Sequence, residues 1–253
     1  MWVDLQLSRL AENLDRPYRT YAYLDGGALA QADRFDEWFP GEKVHHFRKI
    51  DDLAARICAQ VDDDDVLLFL DGDAFPVADL GGALDTMLAG HRLAAVRRTE
   101  ILGDPIPHPS FCATTVGFWR DSGATWIGGG YRWLDDLGNF ITDTGANLLK
   151  LLDDMHVDWL PLLRTNTHDL HPILFAVYGD LVYHHGAGFR QVITRPEQAE
   201  IEEQAQGLSV DGASADELRE RLTRERIRRN AELSVRVYEE ARADDQFWRR
   251  LFY

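Results

Sequence analysis

The chain has 253 residues, 45% of them hydrophobic, and a formal net charge of −16 at pH 7. This composition excludes global disorder and predicts one large domain, or one domain with an appendage. The acidic balance argues against nucleic acid as the main partner, because binding to a phosphate backbone requires clustered Lys and Arg side chains.

The cysteines and the lengths of the apolar runs indicate compartment and membrane association. Cys58 and Cys112 form no Cys-x-x-Cys pair, so neither a zinc site nor a disulfide framework is expected. No run of apolar residues is long enough for a transmembrane helix, and no basic segment followed by an apolar run marks a signal peptide. We therefore expect a cytoplasmic protein without an integral membrane segment.

Strand-like and helix-like segments alternate along the first three quarters of the chain. In chain order, the predicted elements are a helix over 2–14, a strand over 18–24, a short helix to about residue 39, a short strand over 43–48, a helix over 51–61, a strand over 66–70, a helix over 79–90, strands over 93–96 and 111–119, a helix over 145–155, and strands over 157–163 and 181–184. This alternation predicts an α/β fold with a mostly parallel sheet flanked by helices.

The composition changes at about residue 196, where Arg and Glu become dominant and aromatic residues become rare. We interpret residues 1–195 as the main domain and residues 196–253 as a helical appendage. The appendage is a candidate surface for a homodimer.

The most informative stretch is the apolar run from Val66 to Leu70, which ends at Asp71-Gly72-Asp73. Five apolar residues suit a strand that is buried on both faces. Ligands of open α/β sheets bind just beyond the carboxyl ends of the strands. Two carboxylates at this place suit a hard divalent cation such as Mn²⁺ or Mg²⁺, and such a cation suits a diphosphate.

This pattern resembles the GT-A class of nucleotide-sugar glycosyltransferases over residues 1–195. The resemblance rests on the strand that ends in Asp71-Gly72-Asp73, on Asp25 at the end of an earlier strand, and on His185 in a turn of small residues. It implies a GT-A-like, Rossmann-like sheet and metal-dependent transfer of a sugar from a nucleotide sugar, with a UDP-sugar as the expected donor. The acceptor is left open.

The resemblance also implies roles for single residues. Asp73 is expected to bind the metal, and Asp71 the metal or the ribose of the nucleotide. The third ligand is His185 or its neighbour His184, and the sequence leaves the choice open because alternate residues of a strand face opposite sides. Asp25 is expected to contact the base or the ribose.

Two further kinds of group are candidates for the reaction. Asp143 resembles the carboxylate that deprotonates the acceptor in inverting members of the class, although a simple helix N-cap explains it equally well. Arg97, Arg98 and Arg190 are candidates for pairing with phosphates, and a solvated surface role is the alternative for each.

Two other functions compete with this interpretation. A phosphohydrolase of the haloacid dehalogenase type also has a buried strand ending in Asp-x-Asp, and Asp71 would then be the nucleophile. A non-catalytic, transferase-like binding protein is the second alternative. It is suggested by the lack of a recognisable strand before the first helix, where the class normally has one.

Overall fold

The structure is a computed structural model, and it describes residues 2–41, 44–101, 103–136, 138–168, 174–186, 193–207 and 214–251. The helices are α1 (Trp2–Asn13), α2 (His46–Cys58), α3 (Leu80–Gly90), α4 (Val116–Ser122), α5 (Ala146–Asp154), α6 (Arg195–Gly207) and α7 (Ala215–Ala243), with 3-10 helices at Gly26–Arg34 and Phe247–Leu251. The strands are β1 (Tyr21–Leu24), β2 (Glu37–Pro40), β3 (Val66–Leu70), β4 (Ala74–Pro76), β5 (Leu93–Val96), β6 (His108–Thr115), β7 (Trp133–Leu134), β8 (Phe140–Ile141), β9 (Leu160–Leu162), β10 (Ala176–Tyr178) and β11 (Val182–His184).

The prediction of a GT-A-like, mostly parallel sheet is wrong. Among the described residues the strands form several small sheets, and the largest has the order β3-β6-β5-β9. In this sheet β6 runs antiparallel to both β3 and β5, and only β5 and β9 pair in parallel. The sheet β10-β11-β4 is antiparallel throughout. The fold is therefore a mixed α/β arrangement of small sheets.

The cause of this error is strand β6. It lies between β3 and β5 and is buried along almost its whole length, from His108 to Thr114. Burial along a strand leaves no sequence pattern that depends on the direction of its neighbours, so the residues of β6 do not reveal whether those neighbours are parallel. The connection from β5 to β6 is the short segment 97–107, and parallel neighbours need a longer crossover.

Several predicted elements are confirmed, among them α1, β3, β5 and α3, where the side chain of Asp79 accepts a hydrogen bond from the Gly82 N–H. Three others are wrong. The predicted short helix to about residue 39 is a 3-10 helix that ends at Arg34, and Glu37–Pro40 form β2. The predicted strand over 43–48 is replaced by the start of α2 at His46. The predicted strand over 111–119 ends at Thr115, whose hydroxyl accepts from the Phe118 N–H and caps α4.

Among the described residues after 196, α6 and α7 are helical, as predicted, and α7 packs against α1 in a shared core. In this core the buried Trp2 and Leu5 of α1 lie with Val237, Tyr238 and Ala241 of α7. The same core includes Phe75 of β4 and Tyr183 of β11, so the two terminal helices cover one face of the sheet β10-β11-β4. The homodimer expected through these helices stays a prediction.

None of the helices that the structure describes combines the length and the apolar character that a bilayer span requires.

A candidate metal site

The Asp71-Gly72-Asp73 turn lies where two sheets meet. Strand β3 belongs to the four-stranded sheet and ends at Leu70, whereas β4 begins at Ala74 in the other sheet. The turn is tight, since the Ala74 N–H donates to the Asp71 carbonyl over 2.9 Å. Strand β11 pairs with β4 and places His184 opposite Ala74. The fold thus brings a late histidine next to an early pair of acids.

The side chains of Asp71, Asp73 and His184 form one cluster. Their possible ligand atoms all lie within 4.8 Å of one another. The His184 Nε2 atom is 3.5 Å from Asp73 Oδ1 and 3.8 Å from Asp71 Oδ2. Asp73 and His184 are buried, and Asp71 is half-buried.

This cluster fits a divalent cation. Ligands at about 2.1 Å from one octahedral ion are about 3.0 Å apart when adjacent and about 4.2 Å apart when opposite. The two distances from His184 fall between these limits. Carboxylates suit Mg²⁺ and Mn²⁺, while an imidazole is more typical of transition metals. The donor set therefore favours Mn²⁺ over Mg²⁺.

His185, the other candidate ligand, points to the opposite side of β11. Its ring is fully buried and stacks on Trp2, with 4.0 Å between the ring centroids. Its Nδ1 atom lies 3.1 Å from the Tyr183 hydroxyl, and its Nε2 atom lies 2.5 Å from Ser234 Oγ. Of the two histidines that the sequence left open, the structure brings His184 together with the acids.

His46 is a site residue that sequence reasoning missed. It lies in the first turn of α2, and its Nε2 atom is 3.0 Å from Asp71 Oδ1. This hydrogen bond to Asp71 raises the pKa of His46 above its ordinary value. The strand that the sequence predicts over 43–48 does not lead to Asp71, because His46 reaches Asp71 only through the start of α2 at this residue.

Asp25 lies near the same part of α2 but is outside the cluster. Its Oδ2 atom is 2.7 Å from Nζ of Lys49, which stands one turn after His46 on the helix. Asp25 follows β1, which pairs with β2 in a separate small sheet. The carboxylate is about half exposed.

His108 is a second residue that sequence reasoning missed. It is buried at the start of β6, and its ring centroid is 6.0 Å from that of His184. Burial is the main reason that the pKa of His108 is well below its ordinary value, and the charge of Arg98 lowers it further. Its Nδ1 atom accepts a hydrogen bond from the Ser110 N–H, so the neutral ring carries its proton on Nε2. The sequence showed only an extended segment between prolines here.

Asp143 is not a helix cap in the structure. The N-cap of α5 is Gly145, and no side chain accepts a capping hydrogen bond there. The Asp143 side chain is 57% exposed, and its Oδ2 atom is 3.5 Å from the guanidinium of Arg98. Arg98 also pairs with the buried Asp104 over 3.0 Å. The charge of Arg98 also lowers the pKa of His108.

Arg97 lies on a different side from Arg98, since consecutive residues of an extended chain face opposite ways. It lines a separate cavity of about 340 Å³, together with Asp153, Asp158 and Trp159. The structure therefore does not bring Arg97 together with the acid pair. Arg190 lies outside the described residues.

Comparisons with known proteins give no further guidance. No protein-family model, no curated protein and no solved structure matches the chain. Any functional assignment therefore rests on the geometry of the cluster and on the sequence motif.

Proposed function

We propose that the protein is a metal-dependent glycosyltransferase that uses a nucleotide-sugar donor. The observation that carries the proposal is the cluster of Asp71, Asp73 and His184, in which two distant parts of the chain supply three ligand atoms to one small volume. The motif and its resemblance to nucleotide-sugar transferases suggest the substrate. The fold gives no support, because the parallel sheet of that class is absent from the described residues.

In this proposal Asp71, Asp73 and His184 hold the cation. A bound Mn²⁺ would neutralise the negative charge that develops on a leaving diphosphate. His46 hydrogen-bonds to Asp71 and orients that carboxylate. Lys49 lies near His46 and Arg98 near His108, and each of the two cations is already paired with a carboxylate of the protein.

Asp143 is the proposed base for the acceptor hydroxyl. Its carboxylate is exposed to solvent and is therefore accessible to an acceptor. Arg98 and the Thr144 N–H both contact it and fix its orientation. A carboxylate held in this way can accept the proton of a hydroxyl as the new glycosidic bond forms.

The phosphohydrolase alternative gains no support from the geometry. A nucleophilic Asp71 would need an oxygen free to attack phosphorus. Its Oδ1 atom is hydrogen-bonded to His46, and its Oδ2 atom faces His184. Asp71 is therefore better placed as a ligand than as a nucleophile.

Calorimetry with Mn²⁺, followed by UDP, tests the metal site and the nucleotide together. We expect Asp73→Asn to abolish Mn²⁺ binding and the Mn²⁺-dependent binding of UDP while the protein stays folded. Asp135→Asn is the matched control, since Asp135 is as buried as Asp73, at 4% against 5% exposed, but serves the turn between β7 and β8. Wild-type protein that bound neither ligand would support a non-catalytic role instead.

A panel of nucleotide sugars, screened by thermal shift with Mn²⁺ present, identifies the donor. A ligand at about 100 times its Kd stabilises the folded state by about 2.7 kcal/mol. For a chain of this size that raises the midpoint by about 5 to 10 °C. The donor should shift the wild type and leave Asp73→Asn unchanged. A shift of equal size in both proteins would contradict the proposed site.

A further inference from the structure

We infer that Gln6 of α1 and the His185–Ser234 pair are positioning residues of the metal site, so that both terminal helices belong to it. The inference rests on the proposed function only in requiring that Asp71, Asp73 and His184 bind a cation. Gln6 and His185 touch the backbone of the Asp71–Ala74 turn, and Ser234 holds the ring of His185. None of the three is proposed as a ligand.

Gln6 holds the turn from the α1 side. Its side-chain amide donates to the Asp71 carbonyl over 2.6 Å and to the Ala74 carbonyl over 2.7 Å. The two bonds span the turn that carries both acids. Gln6 is buried among apolar residues of the helix, a place where a polar side chain is unfavourable unless it is hydrogen-bonded. Both N–H groups of its side-chain amide donate to carbonyl oxygens of the turn.

His185 holds the same turn from the β11 side. Its backbone N–H donates to the Asp73 carbonyl over 2.9 Å. Its ring is wedged between Trp2 of α1, the Tyr183 hydroxyl and Ser234 of α7. His185 directly follows the ligand His184, which is the last residue of β11. The contacts that hold His185 in place therefore also hold the backbone of His184 beside the acids.

The terminal helices are joined to each other at this place. The Tyr238 hydroxyl of α7 donates to Asp4 of α1 over 2.8 Å, and the Arg9 guanidinium donates to the Ala241 carbonyl over 2.8 Å. These contacts bind the two helices together without touching the Asp71–Ala74 turn. They offer matched controls, since they contribute to helix packing alone.

The test compares four variants of the full chain. Gln6→Met keeps the length of the side chain and removes both donors to the turn, and Ser234→Ala removes the partner of the His185 ring. The control for Gln6→Met is Arg9→Met, on the same helix and equally buried at 7% exposed. The control for Ser234→Ala is Tyr238→Phe, which also removes one hydroxyl from α7.

Two measurements are made on each variant. The Kd for Mn²⁺ is obtained from the electron paramagnetic resonance signal of the free ion, and the midpoint of thermal unfolding is measured without metal. Loss of an outer-shell partner typically weakens metal binding by about 10 to 100-fold. We expect Gln6→Met and Ser234→Ala to raise the Kd by at least about tenfold. The controls should keep the wild-type Kd even where they lower the midpoint.

The outcomes separate this inference from the proposed function. Unchanged Kd values in both Gln6→Met and Ser234→Ala would overturn the inference alone, as would an equal rise in the two controls. Wild-type protein that binds Mn²⁺ but no nucleotide or nucleotide sugar would overturn the proposed function and leave the inference standing. Wild-type protein without Mn²⁺ binding would overturn both.

Discussion

Trp2 provides the sharpest test of how α1 is attached. Its side chain is 1% exposed, stacks on His185 and meets Tyr238 edge to face with 5.3 Å between centroids. Replacement by Ala removes a large aromatic surface from the core shared by α1 and α7. A buried aromatic side chain contributes an area of about 150 to 250 Å². At about 25 cal/mol per Å² this corresponds to about 4 to 6 kcal/mol.

Measured losses for such substitutions are about 3 to 5 kcal/mol, because the surrounding structure relaxes in part. We therefore expect Trp2→Ala to lower the free energy of unfolding by about 3 to 5 kcal/mol. Urea unfolding followed by circular dichroism measures this change. Trp38→Ala is the matched control, since Trp38 is 44% exposed and should cost much less.

The contradicting outcomes are a similar loss of stability in the two tryptophan variants, or a loss in Trp2→Ala of less than about 1 kcal/mol, the typical effect of an ordinary substitution. Either result would mean that α1 does not pack against α7 as described. It would also mean that Trp2 is not held in place to stack on His185.

Two further predictions concern the turn before α5 and the contact between α6 and α7. Gly145→Ala should lower stability by more than the ordinary cost of a substitution, about 1 kcal/mol. The reason is that φ of Gly145 is +100° and the new Cβ would lie 2.1 Å from the Pro107 carbonyl oxygen. Thermal unfolding measures the loss, and a neutral effect would contradict this packing. Burial acts to raise the pKa of Glu197, but hydrogen bonds from Asn230 and other partners outweigh it, and the net pKa is below 4.5. The ionised Glu197 therefore stabilises the fold above pH 4.5, and the advantage of wild type over Glu197→Gln should shrink as the pH falls below that value in a pH series of urea unfolding.

Part of the site follows from the sequence alone. The apolar run before Asp71 places the acid pair at a strand end, and strand alternation puts one of His184 and His185 on each face. Both deductions use only local periodicity. They place the acids and the two possible histidines at strand ends, where the structure has them.

Other parts depend on contacts that no local pattern encodes. The pairing of β6 with β3 depends on packing, since the connection 97–107 joins β6 only to β5 and a buried strand looks the same in either direction. His46 reaches Asp71 only because α2 begins at that residue. His108 joins the histidines only because β6 starts beside β11, and the side chain that holds the turn, Gln6, comes from a helix far away in sequence.

The choice between His184 and His185 is finally a question of register. Strand β11 pairs with β4 so that His184 faces Ala74 and Tyr183 faces Phe75. A slip by one residue would exchange the two histidines, moving His185 to the acids and His184 into the core of Trp2. Because the His185 N–H bonds the Asp73 carbonyl and its ring is held by Trp2 and Ser234, these contacts of His185 favour the register that presents His184 to the acids.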